Sequence, residues 1–188
     1  MEIAILLTVF YALRRSEVLG LKWDAVDMEN DTITIKHTVT EYCKEIFKTD
    51  ATKNDSSYAV VPMPKLIKTR LREWKSKQKE HKLMQPNDYV DEGYICTQVN
   101  GKVLRPNFVS SHFSVLINRH NLPAIRFHDL RHSSATYLKY LGFDLKDIQT
   151  WLRHKDIQTT MNIYTHLDMS AKQGIAEALN ERFNNFIP

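Results

Sequence analysis

The sequence predicts a mainly α-helical domain with a small antiparallel β-sheet, an α+β fold class. Apolar residues recur at helical spacing in several long segments, whereas the stretch from Thr32 alternates apolar and polar residues as strands do. The 188 residues, 43% of them hydrophobic, suffice for one sizeable core. We therefore expect residues 1–188 to form a single domain, in which residues 170–188 are a C-terminal helix or tail.

The chain begins with an apolar run from Ile3 to Leu13, which is too short to span a bilayer because spanning takes about 20 residues. It has no basic leader and no small-residue cleavage site, so it is predicted to be a core helix. No capping residue precedes it, and we therefore expect the chain to be a piece of a longer protein. Ser16 is placed to cap a second helix, which puts Arg14 at a rigid corner between two helices, although most arginines are solvated surface charges.

Alternation begins at Thr32 and returns at Tyr58, and both segments predict antiparallel strands. Between them, the segment from Lys48 to Ser57 is polar and breaks the alternation. It is therefore predicted to be a hairpin loop that carries Lys48 and Lys53. Either lysine is placed to reach a ligand.

Pro64 opens a helix that extends to about Met84 and carries eight basic residues around an apolar stripe. Such a surface is compatible with a DNA grip, but a charge-rich outer face is more often only solvated, and we favour that interpretation. The segment Tyr94–Thr97 predicts a short strand, and Pro106 opens a further helix.

A central helix around residues 127–138 is predicted to end at Gly142, where glycine supplies a left-handed C-cap. Asp144 and Asp156 are predicted N-caps of two shorter helices. The last helix, from about Ser170, carries an apolar stripe that needs a partner surface, either its own domain or a neighbouring subunit. The stripe consists of Ile175, Leu179, Phe183 and Phe186.

Charge and cysteine content narrow the class of protein. Twenty-six Lys and Arg against 22 Asp and Glu give a net charge of +4. The resulting pI near 9.0 permits a polyanionic partner without requiring one. The two cysteines, Cys43 and Cys96, have neither metal-binding nor redox spacing, which favours packing roles in a reducing, cytoplasmic location.

The segment FHDLRHSSATYL, residues 127–138, is the most informative part of the chain. His128 and Arg131 are neighbours on a helix and can converge on one anionic group. The planar fork of arginine suits phosphate, and histidine can donate, accept or move a proton near neutral pH. His128 and His132 also have the i, i+4 spacing of a zinc hydrolase, a weaker alternative because Arg131 would repel Zn²⁺ and Asp129 is shorter than the usual glutamate. Taken alone, the segment also fits an ordinary amphipathic helix.

Six polar residues spread along the chain form a set suited to phosphoryl transfer without a metal or other cofactor. Two arginines can hold the nonbridging oxygens of a phosphate and stabilise charge in the transition state. A tyrosine hydroxyl can attack phosphorus, hold it as a phosphotyrosine and pass it to another hydroxyl. The set consists of Arg14, Lys53, His128, Arg131, His154 and Tyr164.

With these residues, the sequence resembles the tyrosine recombinase, or phage integrase, family over nearly all of its length, and specifically the C-terminal catalytic domain of that family. The first arginine block of the family resembles Tyr11 to Glu17, with Arg14 as the catalytic arginine. Its hairpin lysine resembles Lys53 ahead of Val61 and Pro62, and its H-x-x-R box resembles His128 to Arg131. Its later histidine is similar to His154, and its nucleophile matches Tyr164 in Tyr164-Thr165-His166.

The resemblance implies a DNA strand-exchange enzyme that integrates or excises a mobile genetic element through a 3′-phosphotyrosyl intermediate. Its partners would be double-stranded DNA attachment sites, on which it forms a tetramer, whereas without DNA it would be a monomer or weak oligomer. It implies a bacterial or phage-encoded, nucleoid-associated protein without a membrane partner, preceded by further DNA-binding modules. The alternatives are a type IB topoisomerase, a catalytically silent DNA-binding module and the zinc hydrolase.

Two positions depart from the family pattern. Glycine usually precedes the Leu-Arg pair and the later histidine, where this chain has Ala12 and Arg153. Arg153 puts a large cation where glycine lets backbones approach, so it either adds a phosphate contact or alters how His154 is presented. By the resemblance, His132 and His166 support the site and are not catalytic, and Lys48 remains an alternative to Lys53.

Overall fold

The computed structural model describes residues 1–50 and 58–153. The described residues all belong to one compact unit, which spans residues 1–155. In this part of the chain, no helix is both long enough and apolar enough to cross a membrane. Several predicted features lie outside the described residues: Lys53, His154, Asp156, Tyr164, His166 and the predicted C-terminal helix. The expectation of a single domain over residues 1–188 stays a prediction.

The described residues form six α-helices, one 3-10 helix and five short strands, and the predicted fold class is confirmed. In chain order these are α1 (Glu2–Tyr11), α2 (Arg15–Gly20), the 3-10 helix (Trp23–Ala25), β1 (Val26–Asp27), β2 (Thr32–Ile35), β3 (His37–Tyr42), β4 (Glu45–Asp50), β5 (Ala59–Pro62), α3 (Lys65–Met84), α4 (Pro106–Arg119), α5 (Asp129–Tyr140) and α6 (Leu145–Leu152).

Most predicted helix ends are confirmed. Pro64 is the N-cap of α3, Pro106 opens α4, and Gly142 follows α5 with a φ of 89°. The Asp144 carboxylate caps α6 by accepting a hydrogen bond from the backbone N–H of Asp147 at 2.8 Å. These agreements follow from local chemistry, since proline, glycine and aspartate each favour one backbone arrangement at a helix end.

The predicted cap of α2 was wrong. The N-cap is Arg14 rather than Ser16. The backbone N–H of Arg14 donates to Glu17 Oε2 at 2.8 Å. A glutamate at the third helical position can satisfy the first free N–H of a helix without a capping hydroxyl. The helix therefore starts two residues earlier and carries Arg14 directly at its end.

The strands form two sheets rather than one. β1, β2 and β5 make a three-stranded antiparallel sheet, and β3 and β4 make a separate hairpin. Cys43 and Lys44 have φ values of 48° and 66°, which a tight hairpin turn requires. Because the chain turns there, Lys48 lies within β4, paired with Val39, and the prediction that it belongs to a loop was wrong. The predicted strand at Tyr94–Thr97 forms only isolated bridges, from Lys22 to Tyr94 and from Thr97 to Val103.

Packing between helices brings the functional segments together. α1 contacts both α2 and α5, and α5 contacts α6. The rings of Tyr11 and Trp151 stack with their centroids 6.0 Å apart. The indole N–H of Trp151 donates to the carbonyl of Phe10 at 3.2 Å. The C-terminal ends of α1 and α6 are thereby held beside one another.

Candidate active site

Arg14 lies at the corner where α1 gives way to α2. α1 ends because Ala12 takes a left-handed conformation, with φ 49° and ψ 40°. The guanidinium of Arg14 donates from Nη1 to Glu17 Oε1 at 2.6 Å. Its side chain keeps 37% of its surface exposed. Arg14 is therefore both anchored at one end of its fork and accessible to a ligand.

Glu17 is the acidic centre of the site, and the sequence analysis did not select it. Its side chain is 0% exposed and it accepts hydrogen bonds from Arg14 and from Arg153. Burial acts to raise the pKa of Glu17, but the Arg153 charge and the hydrogen bonds from Arg14 outweigh burial and lower it. The group is therefore a carboxylate at neutral pH. Its position three residues after Arg14, at the start of a predicted helix, was the available signal.

Arg131 is buried, with 3% of its surface exposed. Its guanidinium donates to the carbonyls of Ala12 and Leu152, at the C-terminal ends of α1 and α6. The last carbonyls of a helix lack partners within the helix and carry its negative dipole end, so they suit a buried cation. Burial, with the charges of Arg14 and Arg153, lowers the pKa of Arg131 to about 10, and it stays charged at neutral pH.

His128 is the N-cap of α5 and is exposed. It and Arg14 line one groove of about 660 Å³. The groove is also lined by further cations and hydroxyls: Arg15, Arg126, Ser16, Thr40, Ser110 and Ser114. Partial burial, helped by His132 and Arg131, lowers the pKa of His128, so the imidazole is neutral at pH 7 and can accept a proton. Arg131 is bound to carbonyls rather than exposed beside it, so the two residues act electrostatically on one another without sharing the groove.

The acid between the two histidines is not placed to serve a zinc hydrolase. Asp129 accepts hydrogen bonds from the Arg126 side chain at 2.8 and 3.1 Å and from its backbone N–H at 2.8 Å. These bonds lower the pKa of Asp129 to about 2, which is too low for a general base at neutral pH. Within the described ranges there is no group of three or more His, Cys, Asp and Glu residues arranged to hold a metal.

Lys48, the alternative to Lys53, is committed to an ion pair. Its Nζ donates to both carboxylate oxygens of Glu92, at 2.6 and 2.7 Å. It also lies 5.6 Å from the centre of the Tyr94 ring. Lys48 would have to break this ion pair before its amine could bind a ligand. The structure therefore offers no support for Lys48 as a catalytic group.

Arg153 lies at the end of α6 and directs its side chain to Glu17 and to two backbone carbonyls. Its backbone is left-handed at the end of α6, with φ 55°. Its side chain is 9% exposed, and it donates to Glu17 Oε2 at 3.0 Å and to the carbonyls of Tyr11 and Trp151 at 3.3 Å. Ala12 and Arg153 both have positive φ, which gives a physical reason for glycine at these two positions of the family pattern.

Comparison with known proteins decides the family. The model of the phage integrase family matches residues 1–171. This chain belongs to the phage integrase family. The tyrosine recombinase XerC-like protein of Caldanaerobacter subterraneus subsp. tengcongensis is 32% identical over 184 residues, which cover 91% of this chain and 46% of that protein.

A further relative and a solved structure also match most of this chain. The integrase of Staphylococcus phage L54a is 27% identical over 172 residues, covering 90% of this chain and 48% of that one. The structure of the Tn1549 transposon integrase in complex with circular intermediate DNA has a TM-score of 0.76 at 21% identity, covering 94% of this chain and 59% of that chain. The chain thus spans about half the length of the relatives that it matches.

Proposed function

We propose that this chain is the catalytic domain of a site-specific DNA recombinase that integrates or excises a mobile genetic element. One observation carries the proposal: Arg14 and His128 line a single groove, together with the further cations Arg15 and Arg126. A groove lined by arginines and a histidine is suited to a phosphodiester anion. Membership of the phage integrase family supports the same chemistry.

The proposed reaction is a transesterification in two directions. The hydroxyl of Tyr164 attacks phosphorus and forms a 3′-phosphotyrosyl bond, while the bond from phosphorus to the 5′ oxygen breaks. In this reaction His128 accepts the tyrosine proton, and Lys53 supplies a proton to the departing oxygen. Attack by a 5′-hydroxyl on the phosphotyrosine then rejoins a strand. The family pattern adds His154 as a further donor to the phosphate.

The two arginines stabilise the charge that develops on the nonbridging oxygens. Arg14 has the exposed part of its fork for this purpose. Arginine has five N–H donors, and the carbonyls of Ala12 and Leu152 occupy only two groups of Arg131. Arg131 does not line the groove, and it is the family pattern that assigns its remaining donors to the phosphate.

The proposed DNA partners are double-stranded attachment sites. Four copies of the protein would hold two such sites together in the bacterial cytoplasm. A type IB topoisomerase would use similar chemistry on one site, and a silent module would bind without cutting. The recombinase, the topoisomerase and the silent module differ in what they do to one DNA site and to two DNA sites together. The covalent intermediate separates the enzymes from the module, and strand exchange separates the two enzymes.

The decisive experiment incubates the full-length protein with candidate attachment-site DNA that carries a nick beside the cleavage position. We expect a covalent adduct at a single phosphate, formed equally in the presence of a chelator, and joined products when two sites are present. The Tyr164→Phe variant should bind the same DNA without forming the adduct. Relaxation of a supercoiled plasmid that carries one site, without joining of two sites, would indicate a topoisomerase, and binding without any adduct would indicate a silent module. Loss of activity in chelator would favour a metal-dependent hydrolase.

A further inference from the structure

We infer that Arg153 is a positioning residue for the phosphate-binding Arg14 and acts through the buried carboxylate of Glu17. The role rests on the proposed function, because it concerns how the site meets a phosphate. It concerns a position where this chain departs from the family pattern, which usually has glycine there. Four features of the structure support it: the sharing of Glu17, the anchoring of Arg153, the charge of the cluster and the backbone conformation at position 153.

The two carboxylate oxygens of Glu17 have different sets of partners: Arg14 contacts both oxygens and Arg153 contacts only Oε2. Oε1 accepts from Arg14 Nη1 at 2.6 Å. Oε2 accepts from the Arg14 backbone N–H at 2.8 Å and from Arg153 Nη2 at 3.0 Å. The Glu17 side chain is 0% exposed, so no water competes and these bonds set the plane of the carboxylate. Arg153 thereby determines how Oε1 is presented to the Arg14 fork.

Arg153 is itself held on both sides. Its Nη1 donates to the carbonyls of Tyr11 and Trp151, which belong to the last turns of α1 and α6. Arg131 makes the same kind of link one residue later in each helix, to Ala12 and Leu152. Two guanidiniums thus join the same pair of helix ends. Unlike Arg131, Arg153 gives Nη2 to Glu17, and we therefore assign it to that carboxylate rather than to the ligand.

Arg153 also changes the charge of the cluster. Arg14, Arg131 and Arg153 with Glu17 carry three positive charges and one negative, a total of +2. With glycine at position 153 the total would be +1, and Glu17 would neutralise more of the charge of Arg14. Charges act strongly in a buried site of low dielectric constant, so the second partner for Glu17 leaves Arg14 more attractive to a phosphate.

The backbone at position 153 supports a role for the side chain. Its φ of 55° is a conformation that glycine adopts freely and an arginine adopts only against strain. Replacing Arg153 with glycine therefore relieves the backbone while it removes the bond to Glu17. A loss of activity in that variant cannot be attributed to backbone strain, which makes it an informative substitution.

The test measures single-turnover cleavage of nicked DNA by the full-length protein at saturating DNA. We expect Arg153→Gly to lower the cleavage rate about tenfold, as residues that orient a catalytic group typically do. The affinity for DNA should change less than about twofold, and Arg153→Lys should restore part of the rate because it keeps a cation beside Glu17. Asn121→Gly is the matched control: Asn121 also has positive φ, 51°, but it is exposed and lies outside the site. Its rate should be unchanged.

A double-mutant cycle shows whether the effect passes through Glu17. In a Glu17→Gln background, Arg153→Gly should lower the cleavage rate by less than about twofold further, because the interaction with Glu17 through which it acts is already weakened. A full tenfold loss in that background would overturn the inference. So would a variant that loses DNA affinity but cleaves at the normal rate once bound. Arg153→Lys supplies the answer if the glycine variant does not fold.

A measurement without DNA separates this inference from the proposed function. The side-chain N–H signals of Arg14 are followed by ¹⁵N NMR in the free full-length protein. We expect the Arg14 signal to broaden in Arg153→Gly and to stay unchanged in Asn121→Gly. An unchanged Arg14 signal would overturn the positioning role. If the unaltered protein forms no adduct, the proposed function fails, and this comparison alone decides the role of Arg153.

Discussion

Arg14 and Arg131 are assigned to the same phosphate, but the protein holds them in different ways. Arg14 caps α2, pairs with Glu17 and remains 37% exposed. Arg131 is buried and ties the ends of α1 and α6 together through two carbonyls. The same substitution at the two positions should therefore have different consequences for stability.

Arg14→Lys and Arg131→Lys should each lower the cleavage rate roughly a hundredfold, or about 3 kcal/mol, because lysine has no planar fork. Arg131→Lys should also lower the free energy of unfolding by about 2 kcal/mol, since one ammonium cannot satisfy both carbonyls. Arg14→Lys should change it by less than about 1 kcal/mol, as expected for a partly exposed ion pair. Single-turnover cleavage and urea unfolding measure the two effects. Near-normal cleavage by both variants would refute the proposal that Arg14 and Arg131 stabilise the charge on the phosphate.

The proton donor is a second prediction at the scale of single residues. Lys53→Ala should lose most cleavage of ordinary DNA, and a substrate with sulfur at the bridging 5′ position should restore it, because a thiolate leaves without a proton. Lys48→Ala is the matched control, since the amine of Lys48 is held by Glu92. It should cleave both substrates at similar rates. Rescue of Lys48→Ala instead would move the role to that residue.

At the scale of elements, the site depends on close packing of α2 against β3. α2 contacts β3, and Gly20, the last residue of α2, packs directly against the backbone of His37 and Thr38. A Cβ built on Gly20 would lie 2.2 Å from the carbonyl oxygen of His37. Both partners are backbone, so neither can move aside by a change of rotamer. Arg14 and Glu17 begin the same short helix and depend on its position.

Gly20→Ala should therefore lower the free energy of unfolding by about 3 kcal/mol, the upper part of the usual range for overpacking. The matched control is Gly93→Ala, where nothing lies within 4 Å of the added Cβ and only the positive φ of 76° opposes it. That variant should lose about 1 kcal/mol. Equal losses in urea unfolding would show that α2 can move away from β3 and that the contact is less strict.

At the scale of the whole molecule, the free energy of unfolding should decrease as the pH falls into the acid range. The pKa of several carboxyl groups lies below its usual value because they accept hydrogen bonds from N–H groups, lysines, arginines or a histidine. These are Glu17, Asp27, Glu41, Asp50, Asp91 and Asp129. A carboxylate with a lowered folded pKa stabilises the fold above its unfolded pKa, and the contribution is lost as the pH falls through the folded pKa.

Asp129 provides a specific test, because hydrogen bonds from Arg126 lower its pKa from 3.8 to about 2. Asp129→Asn should be less stable than the unaltered protein at pH 7. The difference should shrink as the pH falls from 3.8 towards 2, where the native carboxyl is protonated as well. Urea unfolding at a series of pH values measures this. A difference that stays constant down to pH 2 would show that charge does not contribute at this position.

Local chemistry in the sequence determined the helices with their proline, aspartate and glycine ends, the strands of alternating residues, and the motif residues Arg14, His128 and Arg131. Each depends on neighbours only a few positions away, so its signal is written in one short segment. The family resemblance came from the same segments. The sequence also indicated Lys53, His154 and Tyr164, and these remain predictions.

The tertiary structure alone decided which charges meet. Arg153 and Glu17 are 136 positions apart, and Arg131 and Ala12 are 119 apart, so no local pattern could pair them. The early turn at Cys43, which placed Lys48 in a strand, depended on two residues in left-handed conformations that their residue types do not favour. Burial then set the charge states, because a buried carboxylate persists only where cations surround it, and which cations do so depends on how the helix ends pack.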